Sequence, residues 1–110
     1  MDLNDRPKVL LLSCLGDGRP QNLTELTAAF EKLLGKIYSA HCGRKEVGCP
    51  FQTDALVWLD SVETTIGLMR HNGLIELSDE ISFKYKIAPL GKKMLKQNKR
   101  ELEEYFQIEL

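Results

Sequence analysis

Between Thr53 and Ile87 the apolar residues change their period, and that change limits what the chain can become. Ala55, Leu59, Val62, Ile66 and Met69 recur at spacings of three and four, which predicts one amphipathic helix with Thr53 as its N-cap. Asp54 and Asp60 add negative charge toward the start of that helix, where its dipole favours it. Gly73 is the predicted stop. Beyond it the period drops to two, with Phe83, Tyr85 and Ile87 on one face and Ser82, Lys84 and Lys86 on the other. A hairpin follows, with its turn predicted at Ser78-Asp79-Glu80.

At 110 residues the chain has enough material for one core and too little for two, so a single domain over 1–110 is expected. Within it, 1–6 reads as a flexible N-terminus and 98–110 as an extension of the last helix. A net charge of −1 argues against a partner gripped by charge over the whole surface, and leaves room for a local basic patch. Three cysteines without a secretory signal suggest reduced thiols and an intracellular (cytoplasmic or nuclear) protein. The apolar run Val9–Leu15 follows Asp2 and Asp5 and is too short for a signal core. No stretch approaches the ~20 apolar residues of a membrane span. The sequon Asn22-Leu23-Thr24 is therefore expected to stay unmodified.

The remaining elements follow in order. Pro7 suits the opening turn of a first helix running to Leu15, and Gly16 and Gly18 stop it. Asn22 and Glu25 are spaced for a capping box at the start of a second helix. That helix would bury Leu26, Phe30, Leu33 and Ile37 and fade by Ser39–His41. Cys42 to Phe51, with Gly43, Gly48 and Pro50, reads as a loop. Pro89 opens a last helix with Leu90, Met94, Leu102, Phe106 and Leu110 inward and a bend or interruption at Asn98. No repeat, low-complexity tract or linker interrupts the order.

Gly73-Leu74-Ile75-Glu76, the alternating strand after it, and Tyr85-Lys86-Ile87-Ala88-Pro89-Leu90-Gly91-Lys92-Lys93-Met94-Leu95 resemble the wing and following helix of small winged-helix DNA-binding regulators. Ala88 stands where those families usually have Thr. The resemblance covers residues 53–96. It implies a mainly α fold with a small β-hairpin: three helices, a two-stranded wing and a C-terminal helix. It also implies a recognition helix at 53–72 and dimerisation through the last helix.

On a wheel of about 100° per residue, the face opposite the core stripe carries Val57, Ser61, Thr64, Thr65 and Leu68, with Trp58 at its edge. Major-groove readers usually present Arg, Lys, Asn or Gln, and none of these is in that set. A better nucleic-acid signal is the strip Lys84, Lys86, Lys92, Lys93 and Lys96, continued by Lys99 and Arg100, which suits phosphates. The pairs Lys99–Glu103 and Arg100–Glu104 are spaced to consume part of that charge.

Other chemistries have less behind them. His41, Cys42, Cys49 and His71 fit no paired-ligand spacing, so neither a metal nor another cofactor is expected. Cys14 lies in an apolar run, and Gly16-Asp17-Gly18 lacks the downstream Lys-Ser/Thr of a phosphate loop, so no enzyme is expected. Two functional readings stay open. In one, a non-catalytic winged helix binds duplex DNA in transcription, replication or repair, through Lys84, Lys86, Lys92, Lys93 and Lys96 with Ser61, Thr64 and Thr65. In the other, Val57, Trp58, Thr64 and Leu68 dock a protein of a larger assembly. Leu102, Tyr105, Phe106, Ile108 and Leu110 either pack back on the first helix or pair two copies.

Overall fold

A computed structural model describes residues 5–41 and 50–110. The described residues form five helices and one two-stranded antiparallel sheet: α1 (Arg6–Cys14), α2 (Leu23–His41), α3 (Pro50–Asp60), α4 (Val62–His71), β1 (Ile75–Asp79), β2 (Lys84–Ile87) and α5 (Pro89–Phe106).

Helix α1 is the centre of the packing. Val9, Leu10, Leu11 and Leu12 are all fully buried, so no face of this turn meets water. An apolar run this dense is stable as a helix only when other elements surround it, and α2, α4 and α5 all pack against it. Gly18 then takes a positive φ of 81° as the chain turns away. The expected capping box closes α2: Asn22 N–H donates to Glu25 Oε1 (3.2 Å) and Glu25 N–H to Asn22 Oδ1 (2.8 Å). Leu26, Phe30, Leu34 and Ile37 form its buried edge. Leu34 takes the place expected for Leu33, which is only half-buried at the rim.

The helix expected from Thr53 is two helices. α3 begins earlier, at Pro50, so Thr53 is an exposed residue inside its first turns and caps nothing, and Phe51 belongs to a helix where a loop was expected. Residues 42–49 lie outside the described residues. The break falls at Ser61, whose hydroxyl donates to the Val57 carbonyl (2.8 Å) while its own N–H reaches the same oxygen (3.1 Å). A hydroxyl bonded back four residues competes with the backbone ladder and bends a helix. The buried stripe nevertheless continues across the break, through half-buried Ala55 and Leu59 to buried Val62, Ile66 and Met69.

Gly73 ends α4 at φ 76°. Leu74 N–H reaches the Met69 carbonyl (2.9 Å) and Gly73 N–H that of Arg70 (3.1 Å), the paired closure of a Schellman motif. The hairpin pairs Ile75 with Ile87, Glu76 with Lys86, Leu77 with Tyr85 and Asp79 with Lys84, with an irregularity between Leu77 and Asp79. Its turn lies beyond the predicted Ser78-Asp79-Glu80, because β1 continues to Asp79. Phe83 is therefore not a strand residue: it sits in the turn at φ 50°, 60% exposed. On the other edge of β2, Gln21 and Tyr85 exchange both backbone bonds (2.9 and 2.7 Å), and the buried Gln21 amide donates to the Cys14 carbonyl (2.9 Å). One residue thus joins the end of α1, the start of α2 and the ribbon.

Helix α5 runs unbroken through Asn98, whose side chain donates to the Met94 carbonyl (2.8 Å) and leaves the ladder intact. Leu102 and Phe106 are buried as expected, whereas Leu90 is 52% exposed because Gly91 takes the inward position. Any Cβ at Gly91 would strike the Leu74 carbonyl oxygen and stand 3.0 Å from Ile87 Cγ1 and Leu12 Cδ2. Gly91→Ala is expected to cost about 2 kcal/mol by forced overpacking, measured as a lowered urea midpoint at unchanged slope. Asn22→Ala, which opens the capping box, should cost about 1 kcal/mol in the same assay.

Candidate nucleic-acid interface

The residues singled out for nucleic-acid contact fall into three groups with different electrostatic settings. The first is the ribbon. Lys86 Nζ lies 3.6 Å from Glu76 Oε1, its cross-strand partner, so much of its charge is met within the hairpin. Lys84 faces Asp79 in register. The Asp79 carboxyl is held below the usual carboxylate range, first by the Ser82 hydroxyl and then by the Ile81 N–H, with Lys84 adding to the effect. Both lysines are half-buried.

The tip they flank is apolar and acidic. Ile81 is 93% exposed and Phe83 60% exposed, with Asp79 and Glu80 beside them. The bonds from Ile81 N–H (2.9 Å) and the Ser82 hydroxyl (2.6 Å) to the Asp79 carboxylate fix this turn. Placing Phe83 on the inner face of a strand missed this tip. The available signal was Asp79 followed by Ser82, a pattern in which a short side chain closes its own turn.

The second group is α5. Lys92, Lys93 and Lys96 are exposed, and among the described residues none is held in an ion pair. Lys92 and Lys96 lie one turn apart on the same side of the helix. Lys93 lines a cleft of about 440 Å³ with Asn72, Leu74 and Leu90, near the Lys8–Asp5 pair (3.6 Å) of α1. It is turned toward the end of α4. Arg100 forms the expected pair with Glu104 (3.4 Å), whereas the expected Lys99–Glu103 pair is absent.

The third group lies on α3 and α4. Thr64 is exposed, Thr65 is half-buried, and the Ser61 hydroxyl is committed to the Val57 carbonyl, so Thr64 has the most freely presented hydroxyl of the three. Val57 (57% exposed) and Leu68 (50% exposed) both face solvent, Val57 from α3 and Leu68 from α4 across the break at Ser61. Trp58 packs against the core. Arg70 and His71, at the end of α4, are exposed basic residues outside the face drawn on the wheel.

Of the residues considered for metal, Cys42 and Cys49 and the His41 side chain lie outside the described residues, and His71 is exposed. Among the described residues, no helix is long and apolar enough to cross a membrane. No known family, curated protein or solved structure matches the chain.

Cys14 lies in the wall of the core, and burial pushes its thiol up to about 11, with the Ser13 hydrogen bond opposing weakly. A thiol this reluctant to ionise is a poor nucleophile at neutral pH. The folded state holds the proton more tightly than the unfolded chain, whose thiol titrates near 9.0. Its stabilisation is therefore complete below that value and is lost as pH rises from there to about 11. Compared with Cys14→Ala, the wild type should lose roughly 2 kcal/mol more stability across this window, read from urea melts at a series of pH values.

Proposed function

We propose that the chain is a winged-helix domain that binds duplex DNA and catalyses no reaction. The observation that carries this reading is the unit formed by α4, the Gly73 turn and the β1–β2 ribbon, which the Gln21–Tyr85 bridge ties back to α2. A helix that buries Val62, Ile66 and Met69 and keeps Thr64, Leu68 and Arg70 outward, followed at once by a ribbon, is what a duplex-reading winged helix requires. In this reading α4 lies against a groove and contributes Thr64, with Thr65 and Ser61 behind it.

Phosphate contact falls mainly to α5. Lys92, Lys93 and Lys96 are free to exchange counterions for phosphates, while Lys84 and Lys86 are already shared with Asp79 and Glu76. Binding of this kind is weak, indifferent to sequence and sensitive to salt.

A second reading has its own support. The exposed Leu56, Val57 and Leu68, together with the Glu76 partner that Lys86 already has, suit a protein contact within a larger assembly or between two copies. One experiment separates the two. Fluorescence anisotropy with a random-sequence duplex should show binding at low salt, with a logarithmic salt slope of about −3 if three phosphates are met. Changing Lys92, Lys93 and Lys96 to Glu should abolish it, and Leu56→Asp, on α3 and off the groove-facing helix, should leave most of it. Glu76→Gln, which frees Lys86, should tighten binding about twofold to fivefold, the worth of one exposed ion pair. No binding at low salt, or loss with Leu56→Asp alone, overturns the DNA reading.

A further inference from the structure

Away from the lysines of α5, the face shared by α1, α2 and the chain after α5 holds a cleft of about 470 Å³. Its wall is mostly apolar, with Cys14 from α1, Ala29 and Leu33 from α2, and Leu110; Ser13 and the exposed Glu109 complete the lining, so one acid stands against the two lysines of the rim. Cys14, Leu33 and Leu110 also pack against the core, so the wall is braced from behind. At the rim stand Lys32 and Lys36, one turn apart on α2 and both exposed. Among the described residues, neither ammonium has a carboxylate within ion-pair distance; Lys36 Nζ reaches only the Glu109 backbone carbonyl, at 3.4 Å.

A volume in the range of small-molecule sites, an apolar floor and convergent charges at one edge together specify a ligand chemistry. A bare inorganic anion would leave the floor unused, and a neutral hydrocarbon would leave both ammonium groups unused. We propose that the cleft binds a small monocarboxylate with an apolar body. The hydrocarbon part lies against Cys14, Leu33 and Leu110, and the carboxylate sits between Lys32 and Lys36. This site is independent of the DNA reading.

The test uses the full chain with decanoate and, as a neutral control, decanol. The wall thiol is the local reporter: alkylation at mildly alkaline pH, where enough of the thiolate forms, followed by mass mapping, separates Cys14 from Cys42 and Cys49. Saturating decanoate should slow that alkylation several-fold, and decanol should protect it only at much higher concentration. Lys32→Gln with Lys36→Gln, both surface changes that spare the core, should weaken decanoate at least about fivefold and leave decanol unchanged. Ala29→Leu, which fills the floor, should weaken both. The proposal is overturned if decanoate leaves Cys14 alkylation unchanged, if decanol protects equally well, or if the double lysine variant binds decanoate as the wild type does.

Discussion

The complete burial of Val9 to Leu12 is the constraint on which the other elements depend. A helix with no wetted face at its centre has to be enclosed, and each of those side chains contributes about 1.5–3 kcal/mol only if the enclosure is achieved. α2, α4 and α5 supply it. The close approach at Gly91 follows from the same demand, since α5 must bring its backbone up to Leu74, Ile87 and Leu12. Gln21 resolves the polar problem this creates, because its buried amide satisfies the Cys14 carbonyl at the end of α1 while its backbone pairs with Tyr85. The ribbon is therefore fixed to the core from two sides, by α4 through the Gly73 turn and by the chain entering α2.

Charge on the molecule is arranged locally. In the ribbon every lysine has an acid in register with it, and the tip beyond carries exposed Ile81 and Phe83 with no cation. On α5, among the described residues, Lys92, Lys93 and Lys96 form no ion pair, although Lys93 shares a cleft with Asp5. A near-neutral chain can still attract phosphate at such a place, because salt screens charges more than about 10 Å apart. The same reasoning applies to Lys32 and Lys36, which lie beside the wall formed by Cys14, Ala29, Leu33 and Leu110.

Much of the architecture was legible in the residues. The Asn22–Glu25 capping box, the Gly73 stop, the ribbon after it and the Pro89 helix all rest on local chemistry, which a sequence displays directly. What escaped was decided by competition between neighbours. The break falls at Ser61, where the hydroxyl shares the Val57 carbonyl with the residue's own N–H, and no periodicity reveals a local bond of that kind. Phe83 left the strand because Asp79 captures Ile81 and Ser82 and moves the turn onward. Leu90 gave way to Gly91 because backbone proximity, not hydrophobicity, rules at that contact. The candidate lysines were readable as a group; that Glu76 engages Lys86 while Lys92, Lys93 and Lys96 stay free required the strand register.

The central claim is that α4 and the lysine face of α5 together meet a duplex. Titrating the isotopically labelled chain with a random-sequence duplex at low salt, and following backbone amide resonances, tests it most directly. If α4 and α5 meet the duplex as proposed, shifts concentrate at 61–72 and 92–96 and fade as salt is raised. Shifts absent at low salt, or confined to α3 and unchanged by salt, would contradict it.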